Sequence, residues 1–87
     1  MEKSIFTREY ATLLGLLREQ RERQQLTQVE FAAKLGETQS FVSKCERGER
    51  RLDLVQLGQF CKVLGVSLTQ FVTEYEQRLA AGKRRKH

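Results

Sequence analysis

Between Thr27 and Gly48 the sequence spells two helix-length patterns joined by one tight turn, and few folds accommodate that arrangement. Thr27-Gln28-Val29-Glu30 is a capping box, in which the threonine hydroxyl accepts from the backbone N–H three residues on and the glutamate reaches back. The helix it opens carries Val29, Phe31, Ala32 and Leu35 on or near an inner face and ends at Gly36. A second helix is expected from about Thr38 to Arg47, closed by Gly48 as a left-handed stop. A turn of three or four residues, Gly36 to Thr38, packs such a pair at a steep angle and thrusts the second helix outward. The small side chain of Ala32 lets the two approach.

The flanking sequence is helical too. Phe6, Tyr10, Leu13, Leu14 and Leu17 recur at helical spacing, so a first helix is expected from a start at Thr7 to about Gln24. Gly15 lies inside it at a small cost in helix propensity, which suggests close packing there. Asp53 caps a fourth helix with a stripe of Leu54, Leu57, Phe60, Cys61 and Leu64, ended by Gly65. Ser67-Leu68-Thr69-Gln70 is a second capping box, opening a fifth helix with Leu68, Phe71, Val72, Tyr75 and Leu79. There is no proline, no strand-like alternation and no repeat. The expected fold is all-α: a compact five-helix domain over residues 1–82, with a helix-turn-helix formed by helices 2 and 3 over about 26–51. The run KRRKH, residues 83–87, is expected to be a basic, disordered tail.

Composition narrows the function classes. A chain of 87 residues is one domain near the lower end of what a single core supports, which makes oligomerisation an expectation in its own right. No apolar run approaches the ~20 residues of a membrane span, and the amino terminus lacks a signal peptide's apolar core. A cytoplasmic protein is expected, nucleoid-associated when bound to DNA, with no membrane partner. Cys45 and Cys61 stand apart with no CxxC, and the only histidine is His87, so neither a metal site nor a disulfide framework is expected. No glycine-rich phosphate loop or isolated carboxylate pair suggests a cofactor or an enzyme.

The net charge of +5 points to a polyanionic partner, but Lys83, Arg84, Arg85 and Lys86 supply four of the sixteen positive charges. Without them twelve positive charges face eleven negative ones. A DNA-binding argument must therefore rest on where the charges sit.

They sit on the third helix. At roughly 100° per residue, Val42, Cys45 and Thr38 share one side, with Phe41 on its flank. Ser40, Ser43, Lys44 and Arg47 lie opposite, and Gln39 projects near the amino-terminal end. Serine and glutamine donate and accept, glutamine can bind adenine through two hydrogen bonds, and lysine favours guanine. The amino-terminal half of a recognition helix enters the major groove deepest. Base contacts are accordingly expected from Gln39, Ser40, Phe41 and Lys44. Phosphate contacts are expected from Gln28, Ser43, Arg47 and Arg50, the two arginines flanking the glycine stop.

These segments resemble the lambda-repressor-like or Cro-type helix-turn-helix proteins, also called the XRE family. LTQVEFAAKLG matches the first motif helix, TQSFVSKCERGER the turn and recognition helix, and LxxLxxFCKVLGVSL the packing helix and its exit. The resemblance covers about Tyr10 to Tyr75. It implies that Gln28 contacts phosphate, that Thr38, Gln39, Ser40, Phe41 and Lys44 face bases or the adjoining sugar-phosphate, and that Glu46 and Gly48 are structural. Cys45 departs from the pattern, standing where a large aliphatic residue is usual. The function implied is a sequence-specific transcriptional regulator of bacterial or phage type, acting as a repressor. A small domain binds one half-site weakly, so a homodimer on a (pseudo)palindromic duplex operator is expected, with half-sites about 34 Å apart. Val55, on the far side of helix 4, and Tyr75 and Leu79 are the dimer-contact candidates.

Plainer alternatives stand beside these readings. The polar face of helix 3 can be ordinary solvated surface, and Phe41 can be core rather than a contact for a thymine methyl. Arg50 and Arg51 can simply pair with Glu49 and Asp53, exposed interactions of little energetic weight. Cys45 can be an inert buried thiol or a redox switch beneath the recognition helix. The tail can be a phosphate clamp or a solubilising end. The rival function is an antitoxin that neutralises a protein partner and autoregulates its operon, using residues 1–9 and 76–87 for that partner.

Overall fold

A computed structural model describes residues 7–85 as five α-helices and no strands. They are α1 (Arg8–Arg23), α2 (Gln28–Leu35), α3 (Gln39–Glu46), α4 (Leu54–Leu64) and α5 (Leu68–Arg85). Each start has a polar cap: Thr7, Thr27, Thr38 and Asp53 accept from the backbone N–H three residues on. Reciprocal capping boxes form at Thr27 with Glu30, Asp53 with Gln56 and Ser67 with Gln70. Gly36 and Gly65 end α2 and α4 in the left-handed conformation, with φ of 74° and 78°. Helix α5 continues through Arg85, past the boundary expected at Gly82, and Phe6, Lys86 and His87 lie outside the described residues.

Helix α1 packs against α3 and α5, α2 against α3 and α4, and α4 against α5. Their shared interior holds Leu16 and Leu17 from α1, Phe31 and Ala32 from α2, Val42 and Cys45 from α3, Phe60, Cys61 and Leu64 from α4, and Phe71 from α5. Phe31 and Phe60 meet edge to face at 5.2 Å, the favoured geometry for aromatic pairs. Ala32 is fully enclosed where α2 crosses α3, as its small size requires.

Three positions differ from the periodic reading. Val29 and Leu54 are 63% and 65% exposed rather than inward-facing. Both occupy the first turn of a short helix, which projects past the elements that cover the rest of the stripe. Thr38 faces solvent as the cap of α3 rather than joining Val42 and Cys45 inside. Gly15 is not a close-packing point: a Cβ built there would meet nothing within 4 Å. Among the described residues, no helix is long and apolar enough to cross a membrane.

Candidate nucleic-acid interface

The site candidates on and around the α2–α3 pair fall into three groups. Thr38, Ser40, Phe41 and Lys44 line a depression of about 360 Å³ between the amino-terminal half of α3 and the segment leading to α4. Arg50 closes it from the other side, together with Glu37 and Gln56, which the sequence reading did not single out. The cap role of Thr38 fixes the first turn of α3, so this rim is set by backbone geometry.

Phe41 has two roles. Its ring stands 6.3 Å from that of Phe60, and it is half-buried against the core. Its outer side carries the Arg50 guanidinium at 5.0 Å, a cation–π contact. Arg51 lies likewise over Tyr10 at 4.5 Å, and the Tyr10 hydroxyl accepts from the Leu52 N–H. The alternative pairing of Arg50 and Arg51 with Glu49 and Asp53 is therefore not found among the described residues: Glu49 is taken by Arg47, and the other two lie over aromatic faces. This contact holds the Arg50 guanidinium at the rim of the depression.

The second group is a hydrogen-bonded chain from the interior to the surface. Arg21 on α1 meets Glu46 on α3 through Nε at 2.6 Å and Nη2 at 3.0 Å, with both side chains buried. Arg21 Nη1 donates to the Leu26 carbonyl. The Gln28 side-chain amide donates to Glu46 Oε1 at 3.0 Å, and Gln39 donates to Gln28 Oε1 at 2.7 Å. A carboxylate only accepts, so Glu46 turns the amide NH2 of Gln28 inward and its oxygen outward. That oxygen in turn takes one N–H of Gln39, leaving the Gln39 oxygen and second N–H available to a base edge. Arg21 was missed in sequence; its signal was its position four residues after Leu17, on the buried register of α1.

Ser43, Arg47 and Glu49 make the third group, at the carboxyl end of α3. Arg47 donates to both Glu49 carboxylate oxygens and to the Ser43 hydroxyl. The Arg47 hydrogen bond and charge hold the Glu49 carboxyl below its ordinary range. A phosphate contact by Arg47 therefore requires it to exchange Glu49 for the phosphate.

The dimer candidates are not gathered. Val55 is 70% exposed on the outer face of α4, beside Gly58 and Lys62. Tyr75 is half-buried in an apolar crevice with Leu13, Leu57 and Val72, and its hydroxyl donates to the Glu9 carbonyl. Leu79 lines a separate depression with Arg8 and Glu76. Cys45 and Cys61 are buried free thiols, and burial pushes both pKa values up, opposite to what a reactive thiol needs. No cluster of three metal-ligating side chains occurs among the described residues.

The helix-turn-helix family HTH_3 matches residues 17–71, most of the chain and all of the α2–α3 pair. The chain belongs to this family. A solved XRE-family like protein from Pseudomonas syringae pv. tomato str. DC3000 is 42% identical, with a TM-score of 0.78 over 87% of this chain and 93% of that one. The clp gene regulator ClgR from Corynebacterium glutamicum superposes with a TM-score of 0.74 at 24% identity, over 86% of this chain and 80% of that one, a likeness of fold. A comparison with curated proteins found no match. As an XRE-family helix-turn-helix protein, the chain is a DNA-binding protein of transcription regulation.

Proposed function

We propose that this XRE-family protein is a repressor that binds a (pseudo)palindromic duplex operator as a homodimer, with α3 in the major groove. The observation that carries the reading is the chain Arg21–Glu46–Gln28–Gln39. It spends a buried ion pair on aiming one exposed amide, and the amide so aimed offers one acceptor and one donor. That pair matches the N6 and N7 edge of adenine. A merely solvated helix face has no need of such support.

In this reading Gln39, Ser40 and Lys44 read base edges, Phe41 offers its edge to a thymine methyl, and Thr38 contacts the adjoining backbone. Gln28, Ser43, Arg47 and Arg50 hold phosphates on the two sides of the groove, which positions α3 without reading sequence. Repression follows from occlusion of a promoter by the bound dimer.

In-vitro selection of random duplexes by the purified protein at physiological salt tests this directly. Enrichment of a palindrome with half-sites about one helical turn apart is expected. Binding that falls steeply with salt but enriches no sequence leaves only a nonspecific clamp, and the reading is then wrong.

A further inference from the structure

Helix α4 contains a glycine that its own fold does not require. Gly58 lies in the middle of Leu54–Leu64, where glycine weakens a helix relative to alanine. A Cβ built at Gly58 would meet nothing within 4 Å, so no packing inside this chain excludes alanine. Gly82 shows the contrast, because a Cβ there would stand 2.8 Å from the Arg8 guanidinium. The surroundings of Gly58 point outward. It lies in a groove of about 530 Å³ with Val55 and Lys62 on α4 and Val66 and Leu68 from the turn into α5. Val55, 70% exposed, lines this groove, and Leu54, 65% exposed, precedes it on α4.

We infer that Gly58 is the crossing point of an isologous dimer, in which α4 of a second copy packs antiparallel on this face. The inference rests on the homodimer reading above and specifies its surface. A two-fold axis at Gly58 is the arrangement the distribution of groups favours. An isologous contact puts the same patch on both sides, so residues equally spaced before and after its centre meet. Val55, three residues before Gly58, then meets the stretch of Cys61 and Lys62, three and four residues after it. The charge pattern agrees: Asp53 stands at the amino end of α4, and Lys62 makes no ion pair among the described residues. Antiparallel packing brings each Lys62 toward Asp53 of the partner subunit. Parallel packing would set the two lysines side by side. Without a Cβ at the crossing, the two helix backbones approach closely enough for Val55 to be covered by its partner. Tyr75 and Leu79 then lie outside the contact.

Sedimentation equilibrium of the full chain, with Gly58→Ala and Lys62→Glu beside the wild type, tests this. Wild type is expected to dimerise, with the dissociation constant raised at least tenfold by either substitution. The thermal melt of Gly58→Ala below the dimerisation range should be unchanged or higher, which separates a lost contact from a damaged fold. A wild-type dimer untouched by both substitutions overturns the α4 crossing and leaves the homodimer reading standing. A wild type monomeric at high micromolar concentration removes the homodimer reading, and the crossing with it.

Discussion

Arg21 and Glu46 form a two-point ion pair across the α1–α3 contact, and both side chains are at least nine-tenths removed from solvent. The pair joins the interior to the reading surface, because the same carboxylate also orients Gln28. Breaking one side of a buried pair strands the other charge, at a cost of about 3–5 kcal/mol. Glu46→Gln is expected to lower the stability read from urea unfolding by that order and to release Gln28 and Gln39. At a temperature where the variant is folded, its preference for the base facing Gln39 should weaken more than its overall DNA affinity. A stability change below about 1 kcal/mol would mean the pair is dispensable.

The clamp between α1 and α5 is built from acid-sensitive pairs. Arg78 donates to both Glu19 and Glu74, Arg23 also reaches both, and the buried Gln20 amide donates to Glu74. The Arg78 hydrogen bond lowers the Glu19 pKa from its ordinary 4.5, and the Arg23 hydrogen bond does the same for Glu74. Carboxyls depressed by folding contribute stability that is fully present above 4.5 and lost as pH falls through their folded values. Wild type should therefore lose urea resistance below about pH 4.5, and the Glu19→Gln/Glu74→Gln variant should lose less over the same interval. Parallel pH profiles for the two proteins would show that the clamp contributes nothing.

Helix order, caps and stops were legible because each depends on residues within four positions of one another. Thr27 with Glu30 and Ser67 with Gln70 are local chemistry, and both boxes stand where the sequence puts them. The misreadings involve distance along the chain or the ends of helices. Counting apolar residues alone passes over Gln20 and Arg21, which occupy buried positions of α1 because Glu74 and Glu46 come from remote segments to satisfy them. The rings beneath Arg50 and Arg51 were hidden for the same reason. Val29 and Leu54 keep the right angular register but have no neighbour at their level. In the site, residue types and spacing reveal which side chains face outward. The orientation of the Gln39 amide needs the whole hydrogen-bond chain.

Two backbone positions carry a local conformational cost. Gly15 sits within α1 with open space where a Cβ would stand, and Gln25 adopts a positive φ of 60° just after that helix. Gly15→Ala is expected to stabilise by about 0.5–1 kcal/mol, chiefly through helix propensity. Gln25→Gly should contribute about 1 kcal/mol by removing the crowding of a left-handed residue. Neither side chain belongs to the reading surface, so operator affinity should be unchanged while the unfolding midpoint rises. A destabilised Gly15→Ala would reveal a close approach at α1 that the isolated chain does not have.

Lys44 and Arg50 flank the same depression, and their surroundings assign them different work. Lys44 is exposed on the outward face of α3 and is not held by an ion pair among the described residues, so its ammonium can follow a guanine edge. Arg50 sits over the Phe41 ring, beyond the end of the helix, where a phosphate is the expected target. Lys44→Ala should then cost about 1–3 kcal/mol on the preferred duplex and much less on others, flattening base preference at one position of each half-site. Arg50→Ala should weaken all duplexes alike and reduce the slope of log affinity against log salt by about 1. Titrations of both variants over a salt series, on the selected site and on a scrambled one, separate the two signatures. An exchange of the two patterns would place Arg50 in the groove and Lys44 on the backbone, and α3 would then have to sit rotated toward the α4 segment.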